Sequence, residues 1–290
     1  MALKQNRLMK MTKEQRKGII PITVFFGLIL ALASQSVTVF IGDKIRNIGW
    51  GDIYNNLSAI VPILCILIYC KYVEKRKAET LGFVKKNAIK NYILGLIIGF
   101  ILITTVFFIN LFTKSINVTM DISTIKWWFI IFSFFGFIIQ GLMEETICRG
   151  FIMNSIASKY GAIAGIVVNS IIFAALHAAS PGIGILPAIN LFLAGILFSV
   201  IFYYTDSIFV VAAIHTVWNF TLGIIYGVKV SGLTIYSSIF NTIPKENRVV
   251  INGGLFGFEG GLSLTLPLLL LLFGFIYFMK KRTWDKVISK

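Results

Sequence analysis

The sequence holds only two histidines, His177 and His215, and both fall in stretches almost free of charge. Two adjacent carboxylates, Glu144 and Glu145, close another such stretch, with Arg149 shortly after. Ionisable groups inside an apolar run are costly to keep there and tend to serve a function. On a helix, residues four apart share a face. Glu145 and Arg149 are related in this way, acid before base, and can pair. Glu144 points about 100° away, onto the face of Gln140 and Cys148. One carboxylate is therefore expected to be tied by Arg149 and the other left for chemistry. His215 and Asn219 put an imidazole and an amide on one face. Phe173 and His177 share another, with Ala174 beside them to leave room.

A carboxylate, two imidazoles and an amide converging in an apolar cavity would suit hydrolysis. Burial makes a carboxylate a better base, able to take a proton from water. Histidine or asparagine N–H groups could then hold the oxyanion that forms. A Glu144, His177 and His215 set could instead bind zinc and its water. No His-Glu-x-x-His helix is present, so the metal reading rests on convergence alone. Each feature also has an ordinary structural explanation. A transmembrane histidine often bonds two helices together, and a Glu-Glu-x-x-x-Arg run at a helix end is often an interfacial charge cluster.

The elements that must position these residues are membrane helices. Hydrophobic residues make up 57% of the chain and charged ones 13%, against about 25% charged in soluble domains; the mean hydropathy is +0.85. Crossing a bilayer takes about 20 apolar residues, and in lipid such runs must be helical to satisfy their own backbone. The uncharged runs predict eight spans, near 19–42, 55–72, 91–113, 125–147, 161–179, 184–204, 207–227 and 262–280. The fold expected is an all-α polytopic bundle, one membrane domain over 1–290 with a catalytic core at 125–225. Pro181, Gly182, Gly184 and Pro187 predict a turn or broken helix between the fifth and sixth spans.

The net charge of +15 is distributed as a topology signal. Six Lys and Arg precede the first span, seven lie in 71–90 and five follow residue 279; the alternate loops carry two, two and three. This positive-inside pattern puts both termini in the cytoplasm. It argues against nucleic acid as a partner and for contact with anionic membrane lipid. Ala31-Leu32-Ala33 resembles a signal cleavage site, but the apolar run continues to about Gly42, so an uncleaved helix is expected. Cys65, Cys70 and Cys148 show neither disulfide nor metal spacing and read as packing residues. The basic segment 74–90 is either an amphipathic interfacial stretch or a solvated loop. The Gly-, Ser- and Asn-rich segment 228–261 is either a lid or a mobile loop.

Three segments together carry a family resemblance. Glu144-Glu145-Thr-Ile-Cys-Arg149-Gly150, Phe173-Ala-Ala-Leu-His177 and His215-Thr-Val-Trp-Asn219 resemble the ordered EExxxR, FxxxH and HxxxN motifs of the CPBP family. These are the CAAX-protease and bacteriocin-processing (Abi) intramembrane proteins. The resemblance implies a membrane endopeptidase. Glu144 would activate water, with His177 and His215 as the essential histidines and Asn219 as the oxyanion amide. Glu145 and Arg149 would be the supporting pair, with Phe173 beside them. It favours a glutamate-and-water mechanism without a cofactor, zinc being the alternative. The partner expected is a peptide or protein substrate, lipidated or not, arriving from the lipid or the cytoplasm. Abundant Ile, Lys and Asn suggest a bacterial plasma membrane. Asp206 stands where the family commonly has a small residue, in a loop away from the site.

Two other functions compete: a bacteriocin-immunity or regulatory scaffold, and a small transporter, the latter disfavoured by the lack of an inverted repeat. One geometric difficulty remains. Glu144 and His215 fall near the inner third of the bilayer, whereas His177 comes late in its span. They can meet only if the fourth helix runs on past Arg149 and tilts, or if the fifth begins deep.

Overall fold

The structure, a computed structural model, describes residues 3–43 and 49–288. Lys44, Arg46 and Lys290, counted in the charge pattern, lie outside the described residues. The chain is mostly helical, and each apolar run falls on a helix. Among the described residues, five helices are long and apolar enough to cross a membrane: Trp50–Tyr72, Ala88–Phe112, Trp127–Tyr160, Ile185–Thr205 and Ile208–Ile225. Ile20–Ile29, Ala162–Leu176 and Leu262–Phe275 are shorter apolar helical stretches.

Helix α1 (Arg7–Gln15) is amphipathic and capped by Asn6, whose side chain accepts a hydrogen bond from the Met9 amide at 3.0 Å. Its Leu8 and Met9 are fully buried against Met153, Ala157, Phe202 and Ile208. Part of the basic N-terminal stretch is thus a docked helix. Helix α2 (Ile20–Asp43) follows. The second apolar run divides into α3 (Trp50–Ser58) and α4 (Ile60–Tyr72). Pro62 accounts for the break, because its ring displaces the carbonyl four residues back, that of Ser58.

The segment after α4 is not simply a solvated loop. Glu74 and Arg76 are buried and paired at 2.7 Å, and Arg76 also donates to Ser155 at 3.2 Å. Thr80 and Leu81 are fully buried, while Lys85 and Lys86 face out. The chain here folds back as part of the protein's end.

Helix α5 (Ala88–Phe112) carries Gly95-Leu-Ile-Ile-Gly99, which lets helix backbones approach closely. The partner is α10 (Ile208–Asn219), between helices α6 (Trp127–Glu145), α7 (Asn154–Tyr160), α8 (Ala162–Leu176) and α9 (Ile185–Thr205) in sequence and the loop that follows it. A Cβ on Gly99 would lie 2.7 Å from the Ile214 carbonyl oxygen, and one on Gly95 2.7 Å from the Ala213 Cβ. On the other side of α10, a Cβ on Gly141 of α6 would stand 2.9 Å from the Thr216 amide. Glycines on both flanks therefore allow α10 to sit at the centre. Its apolar stretch is 83% buried, against 28–44% for the other long helices.

Between α6 and α7 the helix does not stop. Residues Thr146–Met153 form a π-helical segment, so one continuous helix runs from Trp127 to Tyr160. Such widened turns are uncommon and frequent at functional sites.

Strand β1 (Ile116–Thr119) pairs antiparallel with β2 (Asn241–Pro244), Ile116 opposite Pro244. The short helix α11 (Val249–Asn252) and α12 (Leu262–Ile288) complete the chain. The segment 228–261 forms a cap joined to the helices by hydrogen bonds. Asn190 donates to the carbonyls of Glu259 and Gly261 at 2.9 and 3.0 Å, Asn252 to that of Ser115 at 2.8 Å, and Asn110 to Ser263 Oγ at 2.8 Å. Gly232, at φ 85°, passes so close to Pro181 that no side chain would fit. The predicted turn between α8 and α9 is present, and the cap covers it. That agrees with irregular backbone being tolerated at membrane depth only where protein buries it.

Candidate active site

The π-helical continuation and the shortness of α8 together remove the difficulty of depth. The fourth helix does run on past Arg149. Helix α8, of 15 residues, spans only about 22 Å, less than the bilayer core of about 30 Å. His177, which caps its C-terminus, therefore stops short of the far surface.

Glu144, His177, His215 and Asn219 line one cavity of about 420 Å³, together with Gln140, Phe173, Ser180 and Ser231. Glu144 Oε2 lies 3.6 Å from His215 Nε2. The opposite ring nitrogen, Nδ1, is 2.8 Å from Glu145 Oε1. A carboxylate only accepts, so Nδ1 carries the proton and Nε2 is the nitrogen turned to Glu144. His177 is arranged likewise: its Nδ1 lies 2.9 Å from the Phe173 carbonyl, which can only accept. Both histidines thus have Nδ1 tied to a fixed acceptor.

Glu145 and Arg149 pair at 2.9 Å, both completely buried. The guanidinium is held over the rings of Phe173 (4.5 Å) and Phe198 (5.3 Å), and donates to the Gly195 carbonyl at 3.3 Å. The same two rings meet His215 edge-on, at 6.3 and 5.8 Å. Arg149, its carboxylate and the imidazole are therefore clamped between α8 and α9.

Gln140 joins the remaining groups. Its amide donates to Glu144 Oε1, and its carbonyl accepts from Asn219 Nδ2 at 3.1 Å. Glu259 works from the cap: Trp218 Nε1 donates to it at 3.1 Å, and the Ser231 amide and hydroxyl donate at 2.6 and 3.0 Å. It lines a smaller neighbouring cavity with His177, His215 and Asn219.

The sequence reading placed Glu145 with Arg149 and Gln140 on the face of Glu144, and the structure has both. It missed the second partner of Glu145, the aromatic wall of Phe198, and Glu259. The signal for Glu259 was faint: a lone acid at the edge of the last apolar run. Among the described residues, no three His, Cys, Asp or Glu side chains are grouped so as to hold a metal ion. Asp206 lies away from the cavity, as expected. It ends α9 in the left-handed conformation (φ 50°) and faces Arg7 at 3.7 Å, its carboxyl pushed above the ordinary value by burial.

A bundle of apolar helices around a carboxylate–histidine–amide cavity has the build of an integral membrane hydrolase. Residues 126–221, which carry all three motifs, match the family model described as Type II CAAX prenyl endopeptidase Rce1-like, and this is the CPBP family. The match supports a CAAX-type intramembrane protease in general terms. Comparisons with curated proteins and with solved structures found no match.

Proposed function

We propose that this chain is an intramembrane endopeptidase in which Glu144 activates water. The observation that carries the proposal is the 3.6 Å approach of Glu144 Oε2 to His215 Nε2, in a cavity that His177 and Asn219 also line. In the reaction, Glu144 takes a proton from water as the water oxygen bonds to the peptide carbonyl carbon. Negative charge moves to the carbonyl oxygen, where Asn219 N–H stabilises it, joined by a histidine Nε2–H when that ring carries a second proton. The C–N bond then breaks as the proton passes from Glu144 to the amide nitrogen, releasing two peptides. Glu145, Arg149 and Phe173 keep His215 in the required orientation.

The reading needs no cofactor. The zinc alternative would draw on Glu144, His177 and His215, and metal would then polarise the carbonyl or the water. The charge distribution supports eight spans with both termini cytoplasmic, in a bacterial plasma membrane. The substrate would be a peptide or a membrane-associated protein, lipidated or not.

The test is cleavage of a panel of fluorogenic peptides by detergent-purified wild type and Glu144→Ala, with and without chelator. Cleavage by the wild type alone supports the protease, and insensitivity to chelator supports glutamate over zinc. If neither protein cuts yet both complement a deletion in the host, an immunity or scaffold role replaces it.

A further inference from the structure

The cavity extends toward one end of the bundle and also reaches Leu28 and Leu32 of α2, and the chain's charges say which side of the membrane that end faces. Away from the catalytic groups, the polar lining includes Asp52 and Asn55 of α3, Ser180 in the turn after α8, and Ser231 and Thr234 of the cap. These lie at the ends of helices that face the 228–261 segment. Trp50 and Trp128 stack there at 4.8 Å, with Phe129 against Tyr236 of the cap at 5.4 Å. Trp50 and Trp127 are 44% and 52% exposed, the placement of an interfacial aromatic belt.

The other end is shut. Below Glu145 and Arg149, the fully buried Met153, Ala157, Phe202, Ile208 and Val211 pack with Leu8 and Met9 of α1. The segments at that end, before α2, between α4 and α5, and in the last turns of α12, are the Lys- and Arg-rich ones. By the positive-inside rule, the sealed end is cytoplasmic.

We infer that the substrate is a peptide segment presented on the non-cytoplasmic side of the membrane, which descends into the cavity from beneath the cap. Glu144 lies 17 residues along the helix from Trp127, about 25 Å below it, so the segment must be extended and unfolded to reach it. That points to an exported peptide or the extracytoplasmic tail of a membrane protein, in place of a cytoplasmic chain. The inference rests on the proposed protease and its orientation, and two readouts separate their fates.

The first is labelling in intact cells with a membrane-impermeant maleimide. Thr234→Cys and Ser180→Cys report the open end and Lys85→Cys the sealed end. The unaltered protein, with Cys70 and Cys148 buried and Cys65 half-buried, is the blank. The expected result is labelling of the first two without permeabilisation and of Lys85→Cys only after it. The reverse pattern overturns the inference whatever the activity. The second is cleavage of an impermeant fluorogenic peptide by sealed right-side-out vesicles from cells expressing the full chain. Cleavage before and after detergent is expected. Cleavage only after detergent overturns the inference and spares the protease. No cleavage in either state removes the protease, while labelling still decides which way the cavity faces.

Discussion

Glu145 grips His215 from behind: its carboxylate lies 2.8 Å from the imidazole Nδ1, while the neighbouring Glu144 faces Nε2 at 3.6 Å. Two successive residues of one helix thus address opposite edges of the same ring. The first holds it and the second shares the cavity with it. The paired carboxylates have different work because one of them is also neutralised by Arg149.

The Glu145–Arg149 pair should therefore matter to folding as well as to activity. Breaking a fully buried pair leaves an uncompensated charge, at about 3–5 kcal/mol. Arg149→Met should lower the thermal midpoint in detergent sharply. The double variant Glu145→Gln/Arg149→Met should regain part of that loss but not the activity, since His215 has lost its anionic anchor. A double variant as unstable as Arg149→Met would contradict this account.

Asn219→Ala should mainly reduce kcat, by about 10²–10³, the usual loss for one oxyanion donor. Gln140→Leu should impair both terms, because Gln140 ties Glu144 to Asn219 and lines the cavity. Steady-state kinetics on one peptide separates the two patterns. An Asn219→Ala variant altered only in KM would remove the oxyanion role.

Glu259→Gln should loosen the cap without disturbing the catalytic groups. The carboxylate accepts from Trp218, the residue before Asn219 on α10, and twice from Ser231. An amide can replace some of those acceptors but not all. The expected signature is a several-fold higher KM with kcat less affected, together with faster protease nicking within 228–261. Unchanged nicking would show that other contacts hold the cap.

Gly99→Leu tests the packing of α10 at a distance from the chemistry. Its Cβ would press on the Ile214 carbonyl, and overpacking of this kind costs about 1–3 kcal/mol. Activity should fall more than stability, because the displaced helix carries His215 and Asn219. Thermal melts beside cleavage rates check this; loss of both in proportion would mean that the helix simply unfolds.

The catalytic candidates were legible because each is an ionisable or amide group in a run that should hold none, and helical spacing told which could share a face. The 145–149 pair was readable for the same reason. What spacing cannot carry is the angle between helices, so the contact of Glu145 with His215 and the clamp of Phe198 were out of reach. The segment 228–261, read as either a lid or a mobile loop, lines the cavity. Gly232 is needed there because Pro181 lies against it, and Asn252 donates to backbone carbonyls. Among the eight expected spans, the fourth is the instructive one: it was read to about residue 147, and its continuation to Tyr160 sets Glu144 about as far from that end as His177 is from the start of α8.

The widened turn at Thr146–Met153 makes chain length in this region a form of steering. Upstream of it stand the two glutamates; downstream, α7 is seated against α1. A wide turn holds about one residue more than an ordinary one, so a single deletion here can relax it and leave the flanking helix in register. An added residue has no such outlet and would turn everything on one side by about a quarter of a revolution. Insertions between Glu145 and Asn154 would thus misalign the carboxylates although every side chain survived.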